Sequence, residues 1–334
     1  IAEEALVRST REQLLAALET QPSWSDIPVV ILTGEGELSS ALSPTLDMLA
    51  PYGISDELLS RGLICPHWQI RLHPSGDRAV FDLSILSNDT RYPFRLQCEQ
   101  WKLSEALLSR LTQQPNVRIA YGSRVVSLTQ DDHQVTISLE TVAGIEKATA
   151  RLLVGADGPQ SLVRRSLGLE FEGETYPETT LLVTTTFPFE EHLGSLSNVS
   201  YCWKEGGNFS LLRVPERWRV SIYPREDVGI DEQLTSEAIE QTLQSIVPAS
   251  AAYDVGEMRA YRVHQRIVST YCRGRVALAG DAAHINSPAG GMGLNGGIHD
   301  AFELVDAIAE IILNGQPLAR LELYDRRRRP VARD

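Results

Sequence analysis

Apolar residues recur along this chain at two spacings, and the change from one to the other divides it. Residues 10–19 carry Leu14, Leu15 and Leu18 on one side, which predicts a helix. After the turn at residues 21–26, the run Pro28-Val-Val-Ile-Leu-Thr33 is continuously apolar, as in a parallel strand buried on both faces. Residues 44–49 and 103–111 predict short helices. Residues 117–121 and 135–139 predict strands, the second alternating apolar with polar. Between residues 180 and 224 the texture changes to short β-branched and aromatic runs (181–187, 199–203, 209–213 and 218–223) separated by turn residues. This predicts an antiparallel sheet inserted between helical segments. An acidic helix at 235–246, a strand at 276–279, a glycine-rich loop and a last amphipathic helix follow. On that helix Leu304, Ile308, Ile311 and Ile312 form a stripe for burial.

Two segments carry candidate chemistry. In Leu152-Leu-Val-Gly-Ala-Asp157-Gly158-Pro159, a buried strand runs into a tight turn and then a helix closed by Gly168. Such a turn places backbone N–H groups and a carboxylate at the carboxyl edge of a parallel sheet, where α/β folds bind ligands. An Asp that only caps the next helix is the plain alternative, and the residues leave both open. The second segment runs from Gly274 through Gly280-Asp281 to Pro288, Gly290, Gly291, Gly293, Leu294 and Asn295. Its glycines remove side chains where something flat must approach the backbone. Asp281 stands where it can accept hydrogen bonds from a polyhydroxylated chain. The N–H groups of Gly293, Leu294 and Asn295 suit a negatively charged heterocycle near a helix N-terminus.

Composition narrows the partners. The 334 residues exceed the usual single-domain size, so two substructures are expected. Lysine plus arginine total 31 against 44 acidic residues, a net charge of −13, which argues against nucleic acid and anionic membranes as partners. The 4 cysteines show no metal-ligand spacing and read as reduced thiols, so a cytoplasmic protein is expected. No apolar run approaches the roughly 20 residues needed to cross a bilayer.

Both segments, in their order and spacing, resemble the paired "DG" and "GD" motifs of class A FAD-dependent aromatic hydroxylases, the p-hydroxybenzoate hydroxylase fold. The likeness extends to residues 42–53, to Gln100 ahead of a helix, to the inserted sheet and to residues 324–330. It implies an FAD-binding Rossmann-like α/β domain (residues 41–175 and 271–334) interrupted by a substrate-binding sheet (176–270). It also implies FAD as cofactor, NAD(P)H as reductant, and O2 and a small phenol-like compound as substrates. Carried over by position, Asp281 and Gln100 contact the FAD, and Asp157 sits near its pyrophosphate. Gly280, Pro288, Gly290, Gly291, Gly293, Leu294 and Asn295 line the flavin ring. No catalytic side chain is implied. On the inserted sheet, Tyr201, Arg213, Arg219 and Tyr223 are candidates to meet the substrate. Alternation puts Arg219 and Tyr223 on one face, with Arg213 or Arg219 suited to a carboxylate.

The family's opening strand and Gly-x-Gly-x-x-Gly turn have no match in this sequence, and Gly34-Glu-Gly36 is too short to replace the turn. Residues 1–40 instead resemble the helix–strand unit of a response-regulator-like receiver domain. Two outcomes are open: this segment substitutes for the opening unit, or the chain is a fused remnant that binds FAD weakly and does not turn over.

Overall fold

The computed structural model describes residues 45–224, 228–286 and 292–333. The helix expected at 10–19, the strand at 28–33 and the absent glycine turn lie outside the described residues. The chain forms two compact units, one holding residues 45–100 with Thr175–Val263, the other Trp101–Glu174 with residues 264–333. One expected boundary, 175/176, nearly coincides with the passage at Glu174/Thr175. The other lies at Val263/His264 rather than 270/271. Residues 45–100, expected with the cofactor segment, belong to the sheet unit.

The reason is a strand pairing. His67–His73 pairs in parallel with Val199–Lys204, so residues far apart in the chain share one sheet, and Arg78–Asp82 adds to its far edge. Among themselves the inserted strands Phe171–Thr185, Arg217–Ile222, Phe209–Val214 and Val199–Lys204 pair antiparallel, as expected. The sheet as a whole is therefore mixed. One face carries Leu181, Val183, Phe209, Leu211, Trp218, Val220 and Ile222, packed with Ile239, Leu243 and Ile246 of the helix Ser236–Ile246 into a continuous core. Thr235 caps that helix by accepting from Ala238 N–H at 3.3 Å.

The second unit is built on three strands. Cys272–Arg273 runs antiparallel to Val276–Leu278, which pairs in parallel with Leu153–Gly155. An antiparallel meander of Arg124–Gln130, Val135–Thr141 and Gly144–Ala150 joins them in this unit. The strand expected at 117–121 does not form. That stretch is a turn region closed by Gly122 at φ 64, and the extended run begins after it, where Val125, Val126 and Leu128 supply β-branched and apolar side chains. The helices Met292–Leu313 and Arg320–Arg333 complete the unit, with Leu304, Ile308, Ile311, Leu321 and Tyr324 buried. Among the described residues no helix is long and apolar enough to cross a membrane.

Candidate functional site

Two parallel strands carry the motif aspartates to one edge. Val276 lies opposite Leu153 and Leu278 opposite Gly155, and Ala279 N–H donates to the Gly155 carbonyl at 3.0 Å. Both strands thus end together, and Asp157 and Asp281 stand just beyond their carboxyl ends, where such sheets bind ligands. The close approach behind this edge requires glycine. A Cβ on Gly155 would stand 2.7 Å from the Val163 side chain.

Asp157 is committed to its own helix. It accepts from the Ser161 hydroxyl at 2.5 Å and from Leu162 N–H and Val163 N–H at 2.7 and 3.1 Å, at the start of the helix Leu162–Ser166. Ser161 is the N-cap, accepting from Arg164 N–H at 2.9 Å, and the Asp157 carboxylate fixes the turn beside it through three hydrogen bonds. Arg164 on the same helix then ties the two motifs together. It is buried, donates to the Pro159 carbonyl at 2.7 Å and to the Ala282 carbonyl at 3.0 Å, and lies over the Phe171 ring at 3.9 Å. Replacing Arg164 with Leu leaves two carbonyls without donors and is expected to lower stability by about 1.5–3 kcal/mol. An unchanged denaturation midpoint would show that the guanidinium carries no net weight.

Asp281 is placed differently. It follows Gly280, whose φ of 58 is left-handed, and is half-buried. Burial pushes its carboxyl above the usual carboxylate range, with His284 pulling the other way. Among the described residues it accepts no hydrogen bond. A half-buried carboxylate without protein donors at a strand end fits a ligand bearing several hydroxyls, which is what the ribityl chain of FAD offers. A Cβ on Gly297 would come within 3.4 Å of the Gly280 Cα, so glycine lets the helix Met292–Leu313 lie against this turn. Gly293, Leu294 and Asn295 occupy the first turn of that helix, at the positive end of its dipole, with Asn295 buried. Pro288, Gly290 and Gly291 lie outside the described residues. Gln100 is the first residue of the helix Gln100–Leu111.

Beneath the Gly280 turn is a buried ionic cluster. Asp300, 0 % exposed, accepts from Arg328 Nε at 2.8 Å on one oxygen. Its other oxygen meets His284 Nε2 at 2.6 Å and accepts from Gly280 N–H at 3.2 Å. His284 Nδ1 faces Asn286 Oδ1 at 2.9 Å, and the ring stacks on Tyr271. Both imidazole nitrogens thus face oxygens, the arrangement of a doubly protonated ring. Burial works against that charge, but the hydrogen bond and charge of Asp300 outweigh it and hold His284 above its ordinary value. Tyr324 donates to the Leu278 carbonyl at 2.7 Å and fixes the strand end from below.

Sequence reasoning missed this cluster, although a signal was present. Asp300 stands four residues before Leu304, on the same stripe as Ile308 and Ile311, so a carboxylate occupies a position patterned for burial.

On the sheet unit the candidates divide between faces. The pairings Tyr201↔Ser210, Ser210↔Ser221 and Leu212↔Arg219 put Tyr201 and Arg219 on one face, with Tyr223 next along. Arg213 is opposite Trp218, on the core face. Its guanidinium lies 5.2 Å from the Trp218 ring and 3.3 Å from the Glu190 carboxylate. Arg213 is thus on the opposite face from Tyr201, Arg219 and Tyr223. Burial, then the neighbouring hydroxyls of Tyr261 and Tyr201, hold the Tyr223 phenol above its ordinary value.

Residues 41–334 match a family model described as FAD binding domain. The chain is 33% identical over 328 residues to a para-nitrophenol 4-monooxygenase of Pseudomonas sp. (strain WBC-3), covering 95% of this chain and 80% of the relative. It is 31% identical over 310 residues to a 6-hydroxy-3-succinoylpyridine 3-monooxygenase of Pseudomonas putida (strain DSM 28022 / S16), covering 90% and 78%. The crystal structure of p-nitrophenol 4-monooxygenase from Pseudomonas putida DLL-E4 superposes with a TM-score of 0.81 at 29% identity, over 98% of this chain and 82% of that one. The arrangement of the two motif strands and these likenesses agree: the chain belongs to the FAD binding domain family and is an FAD-dependent aromatic monooxygenase.

Proposed function

We propose that this chain hydroxylates a small phenol-like compound, placing one atom of O2 on the ring and releasing the other as water, with NAD(P)H as reductant. The observation that carries the cofactor half of this reading is the Asp281 carboxylate, half-buried beside Gly280 and without a hydrogen-bond donor among the described residues. FAD supplies the two-electron carrier and the place where O2 is activated. The chain's own residues do the positioning. Asp281 accepts from the ribityl hydroxyls, and Gly280 lets the backbone come close. The first-turn N–H groups at Gly293, Leu294 and Asn295 flank the ring and favour negative charge on it. Gln100 adds a further contact. Asp157 acts one step removed, by holding the turn beside the pyrophosphate.

Tyr201, Arg219 and Tyr223 face the substrate from the sheet. The Tyr223 phenol stays protonated at neutral pH and so remains a hydrogen-bond donor. The names of the relatives make 4-nitrophenol the first compound to test. Cys65, Cys98 and Cys202 are buried and no disulfide joins them, in keeping with a reducing, cytoplasmic setting.

The test compares FAD titrations of Asp281→Ala and Asp157→Ala. Loss of the ribityl contacts at Asp281 is expected to weaken FAD by roughly tenfold to a hundredfold. Asp157→Ala is expected to lower stability more than affinity. Equal FAD retention by the two variants would remove Asp281 from the cofactor site. Stimulation of NAD(P)H oxidation by 4-nitrophenol, with oxygenated product formed, tests the reaction itself.

A further inference from the structure

The sheet unit contains a buried positive charge that no carboxylate among the described residues balances. The strand Arg95–Gln97 pairs antiparallel with Leu63–Cys65, placing Arg95 opposite Cys65 and Gln97 opposite Leu63. Alternation turns Arg95 and Gln97 to the same side. Arg95 is 2 % exposed and Gln97 is 0 % exposed. Among the described residues Arg95 forms no ion pair, and its Nε has no acceptor. Its Nη2 reaches the Tyr201 hydroxyl only at 3.5 Å, the outer limit of a hydrogen bond. Both polar atoms of the Gln97 amide lack partners as well.

A desolvated guanidinium without a counter-charge beside an unsatisfied amide opposes folding. Two other buried arginines of this chain, Arg328 and Arg164, look different. Arg328 has its carboxylate, and Arg164 has its two carbonyls and a ring. Arg95 instead points its one weak contact at Tyr201, a residue of the sheet's candidate substrate face. Tyr201 also meets Trp68 edge-on at 5.9 Å, and Trp68 stacks on Phe81 at 4.0 Å. Aromatic surface and an unneutralised, fork-shaped cation are thus brought together, and their complement is an aromatic ring bearing an anionic oxygen.

We infer that Arg95, Gln97 and Tyr201 form the recognition site for an oxyanion carried on the aromatic substrate, either a phenolate or a ring carboxylate. This rests on the reading that the sheet face receives an aromatic compound, and it adds the charge that compound carries. A phenol held as its anion also has a more electron-rich ring, the form that yields most readily to electrophilic oxygen.

The test is calorimetric binding to the holoenzyme, with 4-nitrophenolate and 4-hydroxybenzoate as the two oxyanion arms and nitrobenzene as the neutral comparator. The expected result is oxyanion binding about tenfold or more tighter than nitrobenzene, the stronger arm identifying the group recognised. Arg95→Met is expected to weaken the preferred oxyanion by roughly tenfold to a hundredfold. It should leave nitrobenzene affinity alone and, without ligand, melt no lower than the parent, because an unpaired buried charge has gone. Gln97→Leu is the second variant, with weaker oxyanion binding and an undiminished melting temperature. A merely structural Arg95 gives the opposite pattern, with a lower melting temperature and losses for charged and neutral ligands alike. That result, or unchanged oxyanion affinity in both variants, overturns the inference. If the parent binds nitrobenzene and the oxyanions equally, the inference fails while the aromatic reading stands. If it binds none of them, the aromatic reading itself fails.

Discussion

Asp300→Ala is expected to destabilise the protein by about 3–5 kcal/mol and to abolish retention of FAD. Removing the carboxylate leaves Arg328 and His284 buried without their anion, and Gly280 N–H loses an acceptor. The first effect should appear in the denaturation midpoint and the second in the flavin content, because Gly280 sets the position of Asp281. A loss below about 1 kcal/mol would mean that the cluster is relieved by water or rearrangement.

Asp300→Asn separates charge from shape and should also alter the dependence of stability on pH. Burial pushes Asp300 up, but the hydrogen bond and charge of His284, and then Arg328, hold it below the usual carboxylate range. Its contribution is therefore full above the unfolded value of about 3.9 and is lost as pH falls through the lower folded value. His284 is held above its ordinary value, so its contribution is full below about 6.5 and is lost as pH rises through the higher folded value. The parent should be most stable between these limits. The asparagine variant should lose the slope at both edges, and parallel profiles for the two proteins would contradict this account.

Trp218→Ala is expected to cost the sheet unit about 3–5 kcal/mol. Trp218 is buried in the core face, donates its indole N–H to Glu190 at 2.9 Å and stands edge-on to Phe189 at 6.0 Å. Glu190 also pairs with Arg213, so truncation removes a large apolar volume and the anchor of an ion pair together. Trp218→Phe should recover most of the apolar loss and none of the indole hydrogen bond. Chemical unfolding of the three proteins measures the difference. An alanine variant as stable as the phenylalanine variant would show that this face tolerates a cavity.

The parts that could be read from the sequence were those set by local pattern. Three of the inserted strands, at 199–204, 209–214 and 217–222, appeared close to their predicted places because β-branched and aromatic runs between turn residues specify extended chain with little help from elsewhere, whereas the first, Phe171–Thr185, starts ten residues before the run expected at 181–187. The two motif aspartates arrived at one sheet edge because a buried strand ending in Gly-Ala-Asp or Ala-Gly-Asp has few other placements. What escaped notice depended on distant partners. No local signal in residues 67–73 names Val199–Lys204 as their neighbour, so the sheet's parallel seam was unexpected. Arg95 and Gln97 read as ordinary polar residues between apolar ones, and only the folded chain shows that they are buried. Parity along the strand, opposite Trp218, puts Arg213 on the core face, which its chemistry alone does not reveal.

The Arg164–Ala282 bond joins positions 118 residues apart, and the strands it accompanies enclose the whole inserted sheet segment in the chain between them. During synthesis, the first motif strand therefore waits for its neighbour until the sheet segment has emerged. Residues 175–263 follow residues 45–100, so the sheet has most of its strands before the other unit can close, and only the end of Val255–Val268 and the edge strand His284–Ile285 come later. Ordering is thus written into the chain: the long loop is shortened by folding its contents first, which lowers the entropy lost when the two motif strands meet. Interruption of synthesis before residue 276 leaves Leu153–Gly155 without the strand Val276–Leu278, its parallel neighbour, a species prone to aggregate until its partner arrives.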